Sequence, residues 1–253
     1  MSKYRLSLLI FFPLLLLSIL VGNLLLVTIV IIAYLILLGI TAFIIQSNFY
    51  IRVINKIDTE KKNIILSFDD GPSIQSTPLI LDVLKAYNAH AIFFCIGNKI
   101  KGNEPILRRM VEEGHTVANH SFSHSTWFDF FSAKRIKKEI EETNNALFNS
   151  IGLRSKLFRP PYGVVNPTVA NAIKESGAVT IGWNKRSLDT VLKNKEKVLS
   201  RISKNLQPGD IILLHDTVPG CVELLKDFLE LLTAKGYTAE RFDKIAQVDC
   251  YEK

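Results

Sequence analysis

Residues 6 to 45 contain no charged side chain, and nothing else in the chain limits its fold so strongly. As one helix the run would be about 60 Å long, twice the hydrocarbon thickness of a bilayer, which argues against a single straight span. Gly22-Asn23 divides it into stretches of 6–21 and 24–45, so the pattern predicts a helical hairpin with a short first arm carrying Pro13. A cleaved signal peptide is the rival reading. It is weaker, because a second full-length apolar stretch follows and no small-x-small cleavage site precedes it. Lys3 and Arg5 flank one end and Arg52, Lys56, Lys61 and Lys62 the other, a positive bias that puts both ends of a two-span hairpin in the cytoplasm. If only the second stretch spans, the following domain faces outward.

Removing this region from the 253-residue chain leaves roughly 190 residues, enough for one α/β domain with a sizeable core. The net charge is +7, and no acidic residue precedes Asp58. That excess suits an anionic membrane surface or an acidic polymer, and a solvated basic face equally well. No basic and aromatic constellation points to nucleic acid, and no protein partner is implied. Cys95, Cys221 and Cys250 are odd in number and lack metal spacing, so they define no disulfide framework.

After a linker at 50–61, the domain is expected at 62–245 with a tail at 246–253. Strands at 63–68, 91–97, 115–120, 157–159, 178–183, 210–214 and 237–242 alternate with helices at 77–88, 104–113, 132–150, 166–176, 195–206 and 222–235. Mostly apolar strands in this rhythm predict a parallel sheet, closed or nearly closed into a (β/α) barrel. In such folds the working residues sit at the C-terminal strand ends.

Ser67-Phe68-Asp69-Asp70-Gly71-Pro72 ends the first of these strands. Adjacent carboxylates repel each other, so a turn that holds two of them shares a cation or a proton between them. An ordinary Asp-Gly-Pro turn is the plainer alternative. His120-Ser121-Phe122-Ser123-His124 follows another strand, and its two imidazoles with Asp70 would make a two-His, one-carboxylate site with open positions. Such a set suits zinc first, with cobalt, nickel or manganese also compatible.

These stretches, with Arg159-Pro160-Pro161-Tyr162 and Leu213-Leu214-His215-Asp216, resemble four of the five motifs of the polysaccharide deacetylases over residues 62 to 245. The resemblance implies a distorted (β/α) barrel. It makes Asp69 the general base, Asp70, His120 and His124 the metal ligands, and Arg159 the residue that steadies the base. Tyr162 would lend its backbone amide to an oxyanion site, Leu213 would line the acetyl pocket, and His215 would be the general acid. The fourth motif departs from the pattern. Trp183 is followed by Asn184-Lys185-Arg186-Ser187-Leu188-Asp189-Thr190, in which Asp189 aligns with the residue that orients His215. Arg186 replaces an Asp, and Thr190 replaces the acetyl-pocket Trp. Trp183 reads as core, or as a substrate contact that compensates for position 190.

The implied activity is metal-dependent removal of N-acetyl groups from an N-acetylhexosamine-containing glycan or glycolipid at a bacterial membrane. An O-acetyl esterase or another carbon–nitrogen amide hydrolase is the alternative on the same barrel. A membrane-bound glycan-binding protein without turnover is the third reading, and retention of Asp69, Asp70, His120, His124 and His215 speaks against it. Polymer substrates favour an extracytoplasmic domain, against the charge bias of the flanks.

Overall fold

A computed structural model describes residues 2 to 252. Helix α1 (Lys3–Leu20) starts where the Ser2 side chain accepts from the Arg5 amide. It ends before Gly22 in the left-handed region, and Asn23 then caps α2 (Leu24–Phe43) by accepting from Leu26. The arms are 18 and 20 residues long, more equal than expected, because α1 takes in Lys3 and Arg5 while α2 stops at Phe43. They fold back on each other, with Phe11 stacked on Tyr34 at 4.0 Å and Ser7 Oγ 3.1 Å from the Tyr34 hydroxyl. Most of their apolar side chains face outward, Leu24 being 80 % exposed. Both helices are long and apolar enough to cross a membrane.

Beyond the hairpin come β1 (Val53–Ile54), β2 (Asn63–Gly71), α3 (Thr77–Ala86), β3 (Ala91–Cys95), α4 (Glu104–Glu112), β4 (Thr116–Asn119) and α5 (Ala133–Ile151). They are followed by β5 (Leu157–Phe158), α6 (Pro167–Ser176), β6 (Val179–Ile181), β7 (Lys185–Arg186), α7 (Lys195–Ser203) and β8 (Ile211–His215). The last elements are α8 (Cys221–Ala234), β9 (Thr238–Ala239) and α9 (Phe242–Ala246). The sheet runs β1-β6-β5-β4-β3-β2-β8-β7 with β9 beside β2, and its paired strands are parallel, as in a distorted (β/α) barrel. No ladder joins β1 to β7 among the described residues. The seam is instead crossed by an antiparallel bridge between Lys56 and Asp210 and by the Ile57 amide on the Gly209 carbonyl.

Side-chain alternation along β2 divides the core. Ile64, Leu66 and Phe68 pack with Leu81 and Leu84 of α3 and Phe228 of α8, while Ile65 packs with Ile92, Phe94, Ile211 and Leu213. Full burial of each such side chain is worth about 1.5–3 kcal/mol, which pins the register of β2. Ser67 and Asp69 fall on the face of Ile65, so the same two-residue period that builds the core turns a carboxylate inward.

The stretch expected as a linker at 50–61 contributes β1, because Val53 and Ile57 are apolar residues that bury among charged neighbours. The expected tail at 246–253 is tied down too. Cys250 is buried, Tyr251 bridges Ser155, and the Tyr251 hydroxyl accepts from the Val117 amide at 2.9 Å. The expected last strand at 237–242 shortens to β9, since Phe242 opens α9 and is buried there.

Candidate active site

A bulge at the end of β2 brings the two adjacent carboxylates to one place. The β2–β3 register slips between Asp69 and Gly71, and Asp70 takes a positive φ of 74°. In a regular strand neighbouring side chains face opposite ways; the slip removes that constraint. His120 Nε2 then lies 3.6 Å from both Asp69 Oδ2 and Asp70 Oδ1, and His124 Nε2 lies 3.3 Å from Asp70 Oδ1. Gly71 is required beside them, because any Cβ there would collide with the Asp216 carboxylate.

His120 and His124 sit on a tight loop after β4, with Ser121 at φ 66° and His124 at φ 47°. His120 Nδ1–H donates to the Arg159 carbonyl at 2.7 Å, which leaves the Nε2 lone pair aimed at the carboxylates. Burial, reinforced by His124, pushes His120 down to about 3, and burial lowers His124 against the pull of Asp70 and Asp69, so burial favours the neutral, metal-ligating form of both rings. Sequence reasoning missed what holds this loop. Glu139 of α5, itself buried, accepts from the amides of Phe122 and Ser123 at 3.0 and 2.7 Å and from the Ser123 hydroxyl at 2.9 Å. Its only signal was its place beside Ile140 and three residues after Ile136 in an otherwise charged helix. Lys99 Nζ, also missed, donates to the Asp70 carbonyl at 2.8 Å.

Asp70 Oδ, His120 Nε2 and His124 Nε2 fit a divalent cation. All three donor atoms lie within 4.8 Å of one another. Their closer spacings, 3.3 and 3.6 Å, match the separation of about 3.4 Å between ligands held about 2.1 Å from a tetrahedral ion. Two neutral imidazoles and one carboxylate form a donor set suited to zinc and its neighbours, with positions left over.

Arg159 is fully buried and uses its whole guanidinium. Nη1 donates to Asp69 Oδ1 at 2.6 Å and Ser67 Oγ at 3.0 Å, Nε to the Ile181 carbonyl at 3.2 Å and Nη2 to the Gly182 carbonyl at 2.7 Å. A buried cation is tolerated when its donors are matched in this way. On the neighbouring strand, His215 pairs in register with Asp69, which puts imidazole and carboxylate on the same face about 5 Å apart at the backbone. His215 Nδ1–H donates to Asp189 Oδ1 at 2.7 Å, and Asp189 Oδ2 accepts from the His215 amide at 2.9 Å. Burial alone would lower this imidazole, yet Asp189, with Asp69 and Asp70 behind it, more than offsets that and raises it. Asp189 is itself held by Ser187 Oγ and the Thr190 amide, and Leu188 before it adopts φ 61°. Apart from Asn and Gln residues, the non-glycine positive φ angles among the described residues fall on Asp70, Ser121, His124, Tyr162 and Leu188, all at this site. Such backbone costs about 1–3 kcal/mol per residue and persists only where the surroundings over-determine it.

Tyr162 has φ 59°, its ring lies 4.9 Å from that of His124, and its amide finds no acceptor among the described residues. Leu213 is buried in register with Ser67. Trp183 is also buried, behind the site rather than at its opening. Its ring occupies the space a Cβ at Gly163 would need and lies 5.5 Å from the Arg159 guanidinium, so it packs as core. Arg186 is exposed on β7 beside Leu213, its carbonyl accepting from Arg201 Nε at 2.7 Å, and Thr190 is exposed too.

Comparison with known proteins agrees with this geometry. The family profile described as polysaccharide deacetylase matches residues 56–181. The chain is 33% identical to the peptidoglycan-N-acetylmuramic acid deacetylase PdaC of Bacillus subtilis over 76% of its own length but only 40% of that protein's. With the peptidoglycan-N-acetylmuramic acid deacetylase PdaA of the same organism it shares 32% identity over 74% of this chain and 73% of the relative. The crystal structure of the Bc1960 peptidoglycan N-acetylglucosamine deacetylase superposes with a TM-score of 0.73 at 27% identity, covering 78% of this chain and 94% of that one. The chain belongs to the polysaccharide deacetylase family.

Proposed function

We propose that this protein is a metal-dependent hydrolase that removes N-acetyl groups from an N-acetylhexosamine-containing glycan. The observation that carries this is the pairing of Asp69 and His215 in register on adjacent strands, next to the donor set of Asp70, His120 and His124. Relatives named as peptidoglycan and chitooligosaccharide deacetylases support the substrate class.

When bound, a divalent ion, zinc first among the candidates, supplies Lewis acidity toward the acetamide carbonyl and lowers the pKa of water. Asp70, His120 and His124 hold it. Asp69, fixed at Oδ1 by Arg159, offers Oδ2 to take the proton of the attacking water. The Tyr162 amide, free of other acceptors, donates toward the oxygen where negative charge develops. His215, anchored at Nδ1 by Asp189, which favours its protonated form, delivers its Nε2 proton to the departing amine, which cannot leave as an anion. Leu213 forms the apolar floor for the acetyl methyl.

Acetate release from N-acetylglucosamine oligomers and from O-acetylated sugars by the zinc-loaded full chain tests the assignment. Amide cleavage is expected; cleavage of esters alone favours the esterase reading, and glycan binding without acetate release favours the silent binding protein. The hairpin of α1 and α2 is proposed as the bilayer anchor. Tyr4 hydrogen-bonds to Phe49, so a spanning hairpin holds the N-terminus and the domain on one side, which the positive bias assigns to the cytoplasm and wall polymers assign to the outside. A reporter fused at the C-terminus distinguishes the two.

A further inference from the structure

In a parallel (β/α) sheet every strand-to-helix loop emerges at the same end. Exposed large apolar side chains collect at that end here. Outside the hairpin and its Ile44 end, Ile74, Leu79, Trp127, Phe130, Tyr162 and Val191 are exposed, with Phe148 at the far end of α5 the exception among the described residues. Ile74 follows β2, Leu79 lies in the first turn of α3, Trp127 and Phe130 follow β4, Tyr162 follows β5, and Val191 follows β7. The end that carries Asp69, Asp70, His124 and His215 is thus ringed by apolar groups. Surface apolar side chains scattered singly need no explanation, but this concentration on one end does.

The chemistry of the ring selects among occupants. Aromatic rings can stack on sugars, whereas Ile74, Leu79 and Val191 have no π-face, and Ile74 and Val191 are 68 % and 69 % exposed. Aliphatic side chains mixed with Trp and Phe match the apolar-aromatic boundary of a bilayer. The base of the proposed anchor is held at the same end. The Val165 amide, in the loop after β5, donates to the Ala42 carbonyl at 2.9 Å, and Gln46 Nε2 donates to the Trp183 carbonyl, in the loop after β6, at 2.9 Å. The base of the hairpin is therefore fastened to loops of the same end that opens onto the catalytic groups.

We infer that this end of the barrel rests on the bilayer surface, and that the acetylated sugar it receives is carried on a lipid. The inference rests on the deacetylase reading and on the hairpin's residence in the membrane. It deepens both, because a site facing lipid takes a membrane-tethered glycan in preference to the same glycan free in water.

The test uses the full chain reconstituted in phosphatidylcholine vesicles. N-acetylchitotetraose carrying a hexadecyl tail is compared with untailed N-acetylchitotetraose. Confinement of enzyme and substrate to one surface should raise acetate release from the tailed form by about tenfold or more at equal total sugar. The Ile74→Ser/Val191→Ser double variant should lose much of that advantage while hydrolysing the free oligomer at the parental rate. Brominated acyl chains should quench Trp127, read as the difference between parent and Trp127→Phe because Trp183 is buried. Equal rates for the two oligomers with no quenching of Trp127 overturn the inference and leave the deacetylase reading intact. Quenching without acetate from either oligomer sinks the deacetylase reading and upholds the docking.

Discussion

Two carboxylates on neighbouring strands of this barrel end are held in opposite ways. Asp69 is paired with the guanidinium of Arg159, a cation that does not titrate in proteins, and Asp189 is paired with His215, an imidazole that does. In the proposed mechanism the carboxylate beside the permanent cation is the one that accepts a proton. Its counterpart beside an imidazole serves the ring, keeping Nε2 as the group whose proton comes and goes. The same residue type is thus proposed for a basic role on β2 and a supporting role after β7 because of its partner.

Four substitutions break or sharpen this contrast. The largest effect is expected from His120→Ala, which removes one ligand and leaves Asp70 facing a cavity; metal content by elemental analysis should fall to background and turnover with it. Asp69→Asn should retain the metal and lose about a thousandfold in kcat, since the amide cannot accept the proton. A variant of normal rate would end the assignment of Asp69 as base. Asp189→Asn is expected to cost less, about tenfold to a hundredfold, and to move the pH profile. Protonated His215 is the working form, so activity falls as pH rises through its pKa. Asp189 holds that pKa up against burial, so its loss should shift the alkaline limb to lower pH, measured as kcat against pH. Glu139→Gln should be mildest at saturating metal. Oε2 alone accepts both amides, so Gln puts a neutral oxygen where a charged and stronger acceptor stood, and zinc affinity by competition titration should drop about tenfold or more.

The strand and helix alternation was readable because β3 and β8 are almost wholly apolar, β2 carries the apolar run Ile64-Ile65-Leu66, and the helices between them carry one apolar face. The motif residues were readable through their joint resemblance to four family motifs, since an acidic turn or two histidines four apart each have an ordinary reading alone. Glu139 was not, because an acid on the charged helix α5 looks like any solvated residue until the loop after β4 folds onto it. Val53 and Ile57 were hidden for the opposite reason, as apolar residues set among linker-like Lys, Asp and Asn. Trp183 was left between core and substrate contact; its side chain is committed to the interior by Gly163 and Arg159, groups distant in sequence.

The residues alone determined that an apolar hairpin precedes a parallel (β/α) domain, and which side chains are candidates for chemistry, because local periodicity and residue type encode burial and reactivity directly. Tertiary structure decided which of them meet and where the hairpin joins the domain. The slip in β2 that turns Asp69 and Asp70 to one place, the in-register pairing with His215, and the hairpin base fastened to the loops after β5 and β6 all depend on contacts between segments far apart in the chain. Such contacts leave no periodic trace in the sequence, since each is fixed by the packing of whole elements rather than by its neighbours along the backbone.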